Sequence, residues 1–139
     1  KDHIEKLKKE INFSETSPIN LFKTKCDIIS PCALGGAINA LNKNKLQCKS
    51  IVGAANNQLE DSTIGEWLNK NNIVYAPDYL VNSGGVIAIA SEINKTENLI
   101  EEQLKKIGDR LTSVFEESKR IGESTNLVAK RTAWERINS

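Results

Sequence analysis

Apolar positions along the chain follow two rhythms. Between residues 26 and 76 they come as short runs, Cys26–Ser30, Ser50–Gly53 and Ile73–Ala76, about 22 to 24 residues apart. Each run ends in small or turn-forming residues, and the stretches between have helical character. Strands spaced in this way fit βαβ units and a parallel sheet, with right-handed crossovers. After residue 96 the rhythm changes. Ile100, Leu104, Ile107, Leu111, Val114 and Ile121 recur at three and four, with Ser118 breaking the stripe. That spacing predicts one long helix capped by Thr96 and closed by Gly122, a residue suited to a helix C-terminus. Ser124-Thr125 opens a last helix with Leu127, Val128, Trp134 and Ile137.

Shorter elements fill the frame. Ile4, Leu7 and Ile11 predict an amphipathic helix over 2–12. Phe13–Asn20 is rich in Ser, Thr and Pro and reads as a loop. Pro31 stops the first strand, since proline lacks a ladder donor. Ala37–Asn42 reads as a short helix, followed by a polar connection to Gln47. Asp61-Ser62 offers an N-cap to a helix from Thr63 to Asn71, with Ile64, Trp67 and Leu68 inward. Gly85 opens GVIAIASEI, apolar nearly all round, which predicts a helix buried between layers.

The three strand-to-loop junctions carry the candidate chemistry. CDIISPCALGG (Cys26–Gly36), SIVGAANNQL (Ser50–Leu59) and VYAPDYLVNSGGV (Val74–Val86) all pass from an apolar run into small residues, amides or glycines. In an open parallel sheet the loops at the strands' carboxyl ends line one crevice, where ligands bind. Small residues let a ligand approach the backbone, and an amide offers both donor and acceptor. Taken singly, each motif has a plain structural reading. Asn56-Asn57 fits a turn, since asparagine tolerates left-handed backbone. Gly84-Gly85 fits a flexible start of a helix, and Gly35-Gly36 is equally unspecific.

Composition narrows the field. A length of 139 residues fits one domain. A net charge of +1 gives no electrostatic case for nucleic acid or acidic membranes, and 5% aromatics is thin for base stacking. No apolar run reaches the ~18 residues of a membrane span. Cys26, Cys32 and Cys48 are an odd number without a CxxC pair, a poor disulfide framework and a poor zinc site. They read as reduced thiols of a cytoplasmic protein, Cys26 and Cys32 as small core residues. His3, the one histidine, lies on a polar helix face and reads as a solvated surface residue, and Lys1, Lys6, Lys8 and Lys9 as a solvated face. No metal site is expected. No G-x-G-x-x-G loop occurs, so the residues by themselves lead to the second half of a doubly wound α/β domain with a ligand crevice. The charged start, KDHIEKLKKEIN, has no signal-peptide character and no methionine, and reads as the middle of a gene product.

Together, CDIISPCALGGAIN, IVGAANNQL and IVYAPDYLVNSGGVI resemble the successive loops of the amino-acid dehydrogenase family. This family includes leucine, phenylalanine, valine and glutamate dehydrogenases, and the leucine-specific members are the most similar. KRIGESTNLVAKRTAWERI resembles the family's C-terminal helices. The resemblance implies an α/β fold: the second half of a Rossmann-like doubly wound parallel sheet over about 1–93, with long closing helices over about 97–138. It implies oxidative deamination of an L-amino acid to a 2-oxo acid and ammonia, with NAD accepting the hydride, in an enzyme that forms homo-oligomers. The family's glycine-rich loop, catalytic lysines and catalytic aspartate would all precede Lys1. No catalytic residue is therefore expected in this chain, which by itself should be inactive.

The resemblance also assigns residues. Ala33 and Leu34 match the loop on the adenosine and ribose side of the cofactor. Ala54, Ala55 and Asn56 match the loop beside the nicotinamide ribose and carboxamide. Asn56 and Asn82 match asparagines near the substrate and reacting centre, and Val86 and Ile89 match positions lining the side-chain pocket. Relatives often have Ser at Ala54 and Ala at Ser83. Glutamate-specific relatives carry a hydroxyl at the position of Ile89, which cannot donate a hydrogen bond to a carboxylate. An aliphatic substrate, leucine first, is expected over glutamate, with phenylalanine and valine open. Two other readings stand beside this one: a non-catalytic nucleotide-binding module that kept the half-fold, and an assembly piece whose long helices bind a partner.

Overall fold

The computed structural model describes residues 2–139. Three short parallel strands form the sheet: β1 (Ile28–Ile29), β2 (Ser50–Ile51) and β3 (Val74–Tyr75), in the order β1-β2-β3. The register aligns Ile28, Ser50 and Val74 in one row and Ile29, Ile51 and Tyr75 in the next. The second row is buried, together with Ile64 and Leu68 of α3 (Ser62–Lys70) and with Ile38 and Ile73. In the first row Ile28 and Val74 are 56% and 45% exposed. The sheet is thus covered on one face among the described residues, whereas the doubly wound expectation called for two.

Most expected elements form. α1 (Asp2–Glu10) is present, with Lys8 bridging Glu5 and Glu15. Asp61 caps α3 by accepting from the Thr63 and Ile64 amides, and Asn72 follows the helix in a left-handed conformation. The long helix α6 (Ile100–Ile121) ends at Gly122, φ 76°, as its sequence predicts. It begins later than expected: a 3-10 turn (Glu97–Leu99) intervenes, and the Thr96 side chain makes no capping bond. The break at Ser118 has a reason. Its buried hydroxyl donates to the Glu123 carbonyl at 2.6 Å, closing the turn into α7 (Thr125–Ile137). Val114 of α6 and Val128 and Ala129 of α7 make a second small core, while Trp134 and Ile137 lie exposed.

Four expectations need correction. Ala37–Asn42 is not helical. Ile38 bridges to Leu59, and the side chains of Asn39 and Asn42 bond the backbone at Gly36, Ala37, Asn39 and Leu41. Asparagine here offers the backbone a better local alternative than a helix. Within the expected loop 13–20, Pro18 starts a one-turn helix, α2 (Pro18–Leu21), its fixed φ suiting the first helical position. Cys32 is exposed, because it follows Pro31 out of the sheet; Cys26 and Cys48 do pack on the core. The fourth concerns α5 (Gly84–Asn94), the GVIAIASEI helix. It forms, but only Ser91 is buried, and Val86, Ile89 and Ile93 are 70%, 61% and 75% exposed. It packs on α6 along one side, and no second layer among the described residues covers the other.

Candidate functional site

Each strand runs straight into one of the three loops, so parallel pairing places all three at the same edge. Their backbones then interlock. The Ala55 amide donates to the Pro31 carbonyl at 2.9 Å, and the Gly36 amide donates to the Asn57 carbonyl at 2.7 Å. Gly53 passes so close to the first loop that a Cβ there would lie 2.1 Å from the Pro31 carbonyl oxygen. Glycine is required at that approach. Gln58, fully buried, staples the second loop by donating to the carbonyls of Gly53 and Ala55 at 2.7 and 2.9 Å. Its Oε1 has no protein partner among the described residues.

The third loop joins through an amide pair. Asn82, closing the single turn α4 (Asp78–Val81), donates from Nδ2 to Asn56 Oδ1 at 2.6 Å. The same nitrogen lies 3.3 and 3.4 Å from the Ala54 and Ala55 carbonyls. Two fixed carbonyls orient the Asn82 amide, and Asn82 in turn orients Asn56. With Oδ1 engaged, exposed Asn56 is left with its –NH2 group free for an acceptor. The left-handed Asn57, φ 52°, is the turn asparagine of the pair.

The sequence-assigned residues distribute as follows. Ala33, Leu34, Ala54 and Asn56 are exposed at the loop edge, Leu34 at 83%. Ala55 is buried and offers no side-chain surface at the loop edge. Val86 and Ile89 lie exposed on α5, one turn apart. Asn56 and Asn82 are brought into direct contact. The structure adds residues that were not singled out: Gln58, Tyr75 and Asp78. Buried Asp78 accepts from the Tyr75 hydroxyl at 2.8 Å and from the Asn57 amide at 2.5 Å. Burial first, and then the Asp78 carboxylate, push the Tyr75 phenol well above its ordinary range. A signal existed, because Asp78 is the one charged residue that follows the strand in any of the three stretches.

The Cys32 thiol lies on the first loop, 3.4 Å from the Ser30 hydroxyl. That contact and the Ala54 backbone hold it below its ordinary range. No cluster of three or more His, Cys, Asp or Glu suited to a metal occurs among the described residues. A groove of ≈ 690 Å³ runs between α6 and α7, past Arg110, Val114, Val128 and Arg136. None of the sequence-assigned residues lines it.

The sequence profile of the Glutamate/Leucine/Phenylalanine/Valine dehydrogenases matches residues 1–138. The chain belongs to this family. It is 39% identical over 140 residues to a leucine dehydrogenase of Thermoactinomyces intermedius, covering 99% of this chain and 38% of that protein. It is 39% identical over 137 residues to an L-tryptophan dehydrogenase of Nostoc punctiforme, covering 97% of this chain and 39% of that protein. The crystal structure of the L-tryptophan dehydrogenase from Nostoc punctiforme superposes with a TM-score of 0.89 at 38% identity, over 96% of this chain and 42% of that one. A hetero-hexameric glutamate dehydrogenase from Thermus thermophilus shares the fold, with a TM-score of 0.71 at 18% identity over 96% of this chain and 34% of that one. The chain thus spans about two fifths of the length of its amino-acid dehydrogenase relatives. No helix among the described residues is long and apolar enough to cross a membrane.

Proposed function

We propose that this chain forms the cofactor side of the catalytic cleft in an NAD-dependent L-amino-acid dehydrogenase, with a branched-chain substrate and leucine first. The observation that carries the reading is the amide pair: Asn82 donates to Asn56 Oδ1, which leaves the exposed Asn56 its –NH2 group for an acceptor. Such a donor suits a carboxamide or carboxylate oxygen. The loops also suit the cofactor's flat parts. Ala33, Leu34 and Ala54 offer small or apolar exposed surface for a ribose and a ring. The loops carry no Lys, Arg or His for a pyrophosphate, so that group would be held by residues outside them. NAD, when bound, would take up the substrate hydride. The chain's own residues bind and orient: Asn56 and Asn82 at the reacting end, and Val86 and Ile89 against an aliphatic side chain. The acid–base groups would come from outside this stretch, because its loops hold no Lys, His or Glu.

The doubly wound sheet, a homo-oligomeric assembly and a cytoplasmic location belong to the same proposal. Support for the first is the open row of Ile28 and Val74, since parallel sheets are ordinarily covered on both faces. The test is a chimera in which residues 1–138 replace the matching stretch of the Thermoactinomyces intermedius leucine dehydrogenase. Leucine-dependent NAD reduction is expected. A folded chimera that turns over none of leucine, valine, phenylalanine or tryptophan would overturn the reading in favour of a non-catalytic module.

A further inference from the structure

Asp78 is a carboxylate buried to 8% exposure, and no Lys, Arg or His pairs with it among the described residues. Burying an anion is costly unless donors replace water. Two do so from opposite sides. Oδ1 accepts from the hydroxyl of Tyr75, itself 2% exposed, and Oδ2 accepts from the Asn57 amide. Tyr75 is held in turn, because Thr125 of α7 donates its buried hydroxyl to the Tyr75 carbonyl at 2.6 Å. A continuous bonded path therefore runs from α7 through β3 and Asp78 to the second loop.

What it meets there is the turning point of that loop. Asn57 stands at φ 52°, a left-handed conformation that asparagine tolerates and that a bond to its N–H fixes in one orientation. Asp78 takes its N–H, and the Gly36 amide takes up its carbonyl oxygen. The peptide unit that Asp78 grips is the one linking Asn57 to Asn56. We infer that Asp78 is the positioning residue of the crevice: by gripping that peptide it aims the free –NH2 of Asn56 at an acceptor oxygen of the ligand. The identity of that ligand rests on the dehydrogenase reading; the positioning does not.

A carboxylate that merely satisfied buried donors would affect stability and leave the amide pair alone. The measurement is therefore made on the side chains of Asn56 and Asn82, in the 139-residue chain labelled with nitrogen-15. In the parent chain the Asn82 –NH2 should exchange slowly and the Asn57 amide should resonate far downfield. Asp78→Ala should speed exchange at Asn82 at least tenfold while the β2 and β3 backbone amides stay protected. Asp78→Asn keeps an acceptor for Asn57 and the side-chain size, so it should restore most of the protection while the Asn57 signal moves upfield, because a neutral acceptor binds more weakly. If Asp78→Ala does not fold, Asp78→Asn with Asn56→Ala decides, since the second variant removes the acceptor of the amide pair and sets the unprotected limit. Asn56 and Asn82 signals unchanged in folded Asp78→Ala, or an unmoved Asn57 signal in Asp78→Asn, would overturn the inference with the dehydrogenase reading intact. In an active chimera, Asp78→Ala should lower kcat/KM at least tenfold, mostly in kcat and beyond what its fall in melting temperature explains, and Asp78→Asn should recover most of the loss. A chimera that is inactive before this substitution would count against the dehydrogenase reading alone.

Discussion

Asn56 and Asn57 are adjacent and chemically identical, yet the fold gives them different tasks. Asn57 takes the left-handed turn, and Asn56 presents a side chain whose orientation Asn82 fixes. In a catalytically complete enzyme carrying this stretch, Asn56→Ala should remove a positioned donor. Losing such a bond costs about 1–3 kcal/mol, so kcat/KM should fall roughly ten- to a hundredfold. Steady-state kinetics and a melting curve together check this; full activity with a lowered melting temperature would return Asn56 to a turn role. Tyr75 gives a prediction in pH. An unfolded tyrosine titrates near 10, whereas the buried Tyr75 phenol holds its proton to higher pH. Above pH ~10 the unfolded chain then binds fewer protons than the folded one. Stability should be full below that pH and fall above it, by about 1.4 kcal/mol per pH unit for this group. Urea midpoints between pH 8 and 11 should show the decline, and Tyr75→Phe should make it shallower, leaving the share of Tyr79, whose phenol is likewise pushed up by burial. At this scale the sequence exposed the amides but not Asp78, Tyr75 or Gln58. Their importance lies chiefly in burial and in partners 3 to 50 residues away, which local pattern does not reveal.

At the level of elements, periodicity named the strands and the long helices because burial on one face imposes it. It failed where a local bond or a missing neighbour decided the outcome. Ala37–Asn42 has helical spacing, but Asn39 and Asn42 capture backbone groups first. GVIAIASEI has the composition of a buried helix, and α5 still leaves Val86 and Ile89 exposed. Composition records what a helix needs to bury, not whether the covering surface is present. The packing of one loop on another also fixes the tolerance of Gly53. Gly53→Ala would place its Cβ against the Pro31 backbone, which cannot rotate away as a side chain can. Relief must come from backbone shifts, at a cost of about 1–3 kcal/mol. A lowered denaturation midpoint together with weakened protection of the Ala55 amide would confirm the clash. An unchanged midpoint would mean that the first two loops are looser than their hydrogen bonds indicate.

For the molecule as a whole, the fold supplies, among the described residues, one covered sheet face, one edge where the three loops meet, and an exposed apolar helix. The chain spans about two fifths of its dehydrogenase relatives. Its loops contain no Lys, His or Glu to serve as general acid or base. The 139 residues by themselves should therefore reduce no NAD with leucine, valine, phenylalanine or glutamate. With no cation in the loops and no glycine-rich turn for a pyrophosphate, NAD should bind more weakly than ~1 mM, outside the usual micromolar-to-millimolar range of enzyme ligands. Absorbance at the reduced-nicotinamide band and calorimetric titration check the two statements; low-micromolar affinity would mean a phosphate site elsewhere on the chain. Family, the parallel pairing of the strands and loop composition were set by the sequence alone, because they depend on residue type and spacing along the chain. Only the tertiary structure decided that Asn82 bonds Asn56, that Asp78 holds Asn57, and that α5 is open among the described residues. Those depend on which groups from distant segments meet, and on which surfaces find no partner.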